Sequence, residues 1–148
     1  MKRIAFRYGT QMFAGFSILF LLAHFLGFSE HYHLRVLNGI IHLAFIYLAV
    51  RQYQQVYPGG VERYIPGVAM GMYTSFVGVT LFCVAMGLFL TYNDAFMYDV
   101  KMAMPMPEYF TPVTAALAIF SEGTVVSLVG SYIVVRILDA QQEKKHVA

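Results

Sequence analysis

Four stretches of this chain, 9–29, 33–54, 66–92 and 110–138, are long and apolar enough to cross a hydrocarbon core of about 30 Å, which takes roughly 20 residues. No other feature limits the fold so strongly. Inside a bilayer the backbone finds no water to bond, so each such stretch must close its own hydrogen bonds as a helix. The second is interrupted soonest, by Arg35 and Arg51 at its ends. Both side chains are long enough to reach the interface from the ends of a buried helix.

Composition agrees. With 59% hydrophobic and 12% charged residues, the chain departs from the roughly 45–50% apolar and about 25% charged content of soluble domains. A net charge of +2, spread thinly, argues against a nucleic-acid partner. Cys83 is the only cysteine, which removes any disulfide framework or cysteine-based zinc site. Met1-Lys2-Arg3 before an apolar run has the form of a signal peptide, but no small-x-small cleavage site precedes Phe28-Ser29-Glu30. A retained first helix is expected.

Basic residues near the helix ends give an orientation. Lys2, Arg3, Arg7, Arg51, Arg63, Arg136, Lys144 and Lys145 fall on one side, Arg35 and Lys101 on the other. This bias expects both termini in the cytoplasm, in a bacterial inner membrane. Tyr8, Tyr53, Tyr57, Tyr64 and Tyr132 would then mark the inner interface, and Tyr32, Tyr92, Tyr98 and Tyr109 the outer one.

The connections are short. Ser29-Glu30-His31-Tyr32 leaves room only for a helix hairpin, and Tyr57-Pro58-Gly59-Gly60 is strong turn punctuation. Pro66 suits the first turn of the third helix, where its missing N–H costs nothing. The longer connection, 93–109, contains a stretch, 94–102, that reads as a short amphipathic helix at the interface. A polar tail, 141–148, is expected to fray in the cytoplasm. The fold class is therefore all-α: four antiparallel transmembrane helices in one bundle over 1–140.

Small residues mark where such helices approach closely, since lipid supplies no hydrophobic drive between them. Gly67, Gly71 and Ser75 form one ladder at spacing four, with Gly78 nearby, and Gly123, Ser127 and Ser131 form another. Spacing alone does not distinguish contacts within the bundle from a seam between copies.

Several of these features recur together in a known group. The basic start with Arg7-Tyr8-Gly9, the exit of the second helix through Ala49-Val50-Arg51-Gln52-Tyr53, the Gly59-Gly60 turn, the third helix opening at Gly67 and the Glu122-Gly123-Thr124 and Ser127 of the fourth resemble the bacterial four-helix membrane family known as domain-of-unknown-function family 4199. The resemblance covers almost the whole chain. It implies the same four-span architecture and no assigned activity.

Soluble-enzyme signatures are missing from the sequence: there is no phosphate-binding glycine loop, H-E-x-x-H, G-x-S-x-G or C-x-x-C. Four-span transferases resembling the microsomal glutathione-transferase group would need charged pairs in the second helix, which has none. The balance is against an enzyme, and no cofactor is expected.

Ionisable groups at membrane depth carry the functional question. With the second and fourth helices centred near residues 43 and 124, Glu122 and His42 fall at similar depth and could meet. Asn38 lies one turn outward of His42 on the same face, and His24 lies about 8 Å toward the outside by helical rise. Glu122, His42, Asn38 and His24 could thus form a polar track that holds or passes a proton. That would suit a small proton- or cation-coupled transporter or sensor. The plainer alternative is a neutral Glu122 that fixes helix register through a hydrogen bond worth about 0.6 kcal/mol. In that case the protein is a structural or accessory component, surrounded by lipid and packed with itself or with a larger membrane complex. Bis-histidine haem is disfavoured by the offset in depth between His24 and His42. His31 and His33, with Met102, Met104 and Met106, make a weak set of copper ligands on the outer side, although methionines in such chains usually serve as apolar filling.

Overall fold

The computed structural model describes residues 1–27, 33–57, 64–102 and 107–147. Among the described residues the helices follow in the order α1 (Lys2–Phe25), α2 (His33–Val56), α3 (Tyr64–Tyr92), α4 (Asp94–Met102) and α5 (Pro112–Val147), with a 3-10 turn at Pro107–Tyr109. Among the described residues, α1, α2, α3 and α5 are long and apolar enough to cross a membrane. The all-α bundle of four apolar helices expected from the sequence is the observed fold.

Helix ends differ from the apolar runs for local reasons. α1 begins at Lys2, well before residue 9, because Lys2, Arg3 and Arg7 end an apolar run without ending a helix. It closes at Phe25, before residue 29, where Gly27 takes φ +71° and its N–H donates to the His24 carbonyl at 3.2 Å. That is a left-handed glycine terminator. α5 runs on through the polar tail to Val147, since Gln, Glu and Lys are good helix formers.

Polar caps start α4 and α5. Ahead of α5, the Thr111 N–H donates to Thr114 Oγ1 at 2.7 Å and the Thr114 N–H donates to Thr111 Oγ1 at 3.2 Å. This reciprocal arrangement, with Pro112 at the first helical position, satisfies amides that the helix itself leaves open. The short α4 is capped by Asn93, whose Oδ1 accepts the Phe96 N–H at 3.1 Å. Asp94 in its first turn and Lys101 in its last suit the helix dipole.

α3 holds the bundle together. It packs against α5, α1 and α2, while α2 also packs against α1 and α5, so α1 and α5 lie on opposite sides of α3. Of the four long helices α3 is the most deeply buried and α5 the least. Its two sides carry different contacts. Toward α1, a Cβ added at Gly78 would lie 3.0 Å from the Gly9 carbonyl oxygen, and one added at Gly9 would lie 2.8 Å from that of Thr74. The two backbones nearly touch there. Toward α2 and α5, contacts recur in layers four residues apart. Gly67 faces Val135 and Val50, Gly71 faces Ser131 and Ile46, Ser75 meets His42, and Gly123 faces Val79. Met12, Ile46, Val50, Met70 and Val135 fill the centre.

Candidate functional site

The polar centre of the bundle is His42. Its helix turns it inward beside Ile46, Ala49 and Val50, and only 4% of its surface is exposed. Nε2 lies 2.9 Å from Ser75 Oγ on α3, and the ring meets Phe16 of α1 edge-on at 5.7 Å. One imidazole thus joins three helices. The small Ser75 of α3 matters doubly, since it lets the helices approach and supplies the hydrogen-bond partner that a buried imidazole requires.

Beyond Ser75 a groove opens between α3 and α5, with a volume of about 430 Å³. Tyr73, Phe76 and Phe120 stand in its walls, and Ser75, Thr124 and Ser127 supply its hydroxyls. Phe76 and Phe120 pack edge to face at 6.3 Å. The Thr124 hydroxyl is occupied, donating to the Phe120 carbonyl at 2.8 Å.

Glu122 is elsewhere. It is exposed on α5, on a face shared with Ala118, Val125 and Val129, which are exposed as well. No hydrogen bond or ion pair joins it to any described residue. The pair anticipated between Glu122 and His42 is therefore not formed, for two geometric reasons. Five residues at 3.6 per turn put Glu122 about 140° around the helix from the inward Ser127. The layers also place His42 and Ser75 level with Ser127 rather than with Glu122. That is about 7.5 Å away at 1.5 Å per residue.

The anticipated polar track is likewise not continuous. Asn38 has its Oδ1 buried without a hydrogen-bond partner among the described residues. His24 is half-buried in a nest of Phe20, Phe89 and Phe96, with ring centroids 6.0, 5.5 and 5.3 Å away. There it ties α4 to α1 and α3. The small residues expected at helix contacts lie inside the bundle. Gly67 and Gly71 are buried against α2 and α5, Gly123 faces α3, and Ser127 and Ser131 are buried.

His31, Met104, Met106 and the side chain of His33 fall outside the described residues, and Met102 is exposed. Among the described residues no cluster of three or more His, Cys, Asp or Glu side chains could hold a metal ion.

Two features escaped the sequence. The close Gly9–Gly78 approach pairs a glycine of α1 that belongs to no ladder with Gly78 of α3, and a spacing search within one helix does not find it. The groove arises from residues on α3 and α5 far apart in the chain, and it carries no local motif.

Together, fold and site define a small multi-pass membrane protein. Comparison with family models, with curated proteins and with solved structures finds no match to this chain. What it does must be read from its own geometry.

Proposed function

We propose that this protein is a structural or accessory component of the membrane, which uses the outer face of α5 to pack with a second copy or with a larger membrane complex. One observation carries the reading: Glu122 stands on an exposed apolar face, within a candidate span, with no partner among the described residues. A carboxyl group directed at lipid is costly, and such groups usually face a protein or a water-filled cavity. A neighbouring helix that offers a hydrogen bond removes that cost. The modest burial of α5 leaves room for such a neighbour.

The orientation belongs to the same proposal: both termini cytoplasmic in a bacterial inner membrane, from the eight-to-two division of the ten Lys and Arg residues. So does the resemblance to domain-of-unknown-function family 4199, which adds architecture without an activity.

A photoreactive residue at Ala118 or Val125, next to Glu122 on the face, tests the reading in intact membranes. A discrete protein adduct, twice the chain's mass for a second copy or larger for a complex, is expected, and its yield should fall sharply with Glu122→Leu. Labelling of lipid alone, or an adduct indifferent to Glu122→Leu, would overturn it. Transport through Glu122 and His42 would instead show as proton or cation flux in proteoliposomes that Glu122→Gln abolishes.

A further inference from the structure

We propose that the groove between α3 and α5 binds a neutral, membrane-dissolved ring compound bearing a carbonyl oxygen, of the quinone type, with Ser127 donating the hydrogen bond that orients it. The groove's volume of about 430 Å³ falls within the roughly 300–1,000 Å³ of small-molecule sites, which pair apolar and aromatic walls with a few polar groups. Tyr73, Phe76 and Phe120 supply aromatic walls of the kind that pack against a flat ring.

The hydroxyls at its floor point to the polar part of the ligand. Within helices of this protein, Thr74, Thr91, Ser121 and Thr124 each return their hydroxyl proton to the carbonyl four residues back. Ser127 does not. Its side chain is 6% exposed, lines the groove and has no hydrogen-bond partner among the described residues. A hydroxyl that opens onto an apolar groove at this depth is stabilised by an acceptor brought to it. Beside it, Ser75 is fully buried and bonded to His42.

Depth decides between ligands. Ser127 is near the middle of the span Pro112–Gln141, well inside a hydrocarbon core of about 30 Å. A glycerolipid keeps its ester carbonyls at the interface and would bring only a methylene chain to this level. A ring compound that dissolves wholly in the bilayer brings its carbonyl with it.

The test is saturable binding of a short-chain benzoquinone to the full-length protein in lipid nanodiscs, followed by equilibrium dialysis. Wild type should bind it, Ser127→Ala should bind about tenfold more weakly, as expected for one lost hydrogen bond, and Ser127→Thr should retain affinity. Ala69→Phe, which fills the groove from α3, should abolish binding while the circular dichroism spectrum stays helical. Absence of saturable binding to wild type overturns the proposal, as does binding that Ser127→Ala leaves unchanged. A photoreactive fatty acid that labels Phe76 or Phe120 and is not displaced by the quinone overturns it in favour of a lipid tail.

Discussion

Gly71 offers the sharpest test of the helix register. A methyl group there would overlap Ser131, approaching its Cβ to 2.8 Å as well as its hydroxyl, and would lie 3.0 Å from Ile46 Cγ2. Ser131 is fully buried, and its Cβ is fixed to the α5 backbone, so relief requires α3 and α5 to separate. Overpacking of this kind costs about 1–3 kcal/mol, while replacing a helical glycine with alanine returns up to about 1 kcal/mol. Gly87 is the internal control, because a Cβ there would meet only the Ala116 Cβ, at 3.6 Å, an ordinary contact. Both substitutions share the propensity gain, so the difference between them isolates the clash, about 1–3 kcal/mol. At about 2–4 °C per kcal/mol, thermal unfolding in one detergent should place Gly71→Ala several degrees below Gly87→Ala. Adding Ser131→Gly should recover much of the loss, since the clashing atoms are gone. Equal midpoints for the two alanine variants, or a loss that Ser131→Gly does not relieve, would refute the α3–α5 register described above.

Other expectations are more local. A double-mutant cycle of His42→Leu and Ser75→Ala should give a coupling of about 0.6 kcal/mol, with a ceiling near 1.7 kcal/mol; strictly additive losses would mean that the 2.9 Å hydrogen bond contributes nothing. Gly27→Ala places a side chain where φ is +71° with no atom within 4 Å, so its cost of about 1–2 kcal/mol should be pure backbone strain. It should appear as faster amide exchange at Leu26 and residue 27, and unchanged exchange would contradict the left-handed terminator. Thr111→Val removes the side-chain half of the α5 cap and should cost about 1 kcal/mol, seen first as accelerated exchange of the Thr114 amide; a protected Thr114 would show that the amide is held by something else.

The candidate site was legible in its residue types and misread in its geometry. His42 stood out as an ionisable group in an apolar span, and it is the buried polar centre. Ser75 was read as a small residue for close approach, and it also bonds the imidazole. Glu122 was equally visible, but its assignment to His42 assumed that both helices are centred at the same depth. The layers set α2 about one turn away from that alignment, as Ser75 levels with Ser127 and not with Glu122. Depth estimated from the middle of an apolar run carries an error of several residues, because charged ends snorkel and helices continue beyond the hydrocarbon, as α1 and α5 both do.

By itself, the sequence determined the class: four apolar runs with so few charges must form helices that satisfy their own backbones in a membrane. It also marked the glycine and serine ladder, Gly67, Gly71 and Ser75, through which α3 approaches α2 and α5. Tertiary structure alone decided which faces meet. Each of the four spanning helices is apolar on nearly all sides, so periodicity names no inward face, and the choice falls to complementary shape. Gly71 fits against Ser131, Gly9 against Gly78, and His42 against Ser75. That fit turns Ser127 into a groove and leaves Glu122 on the outside.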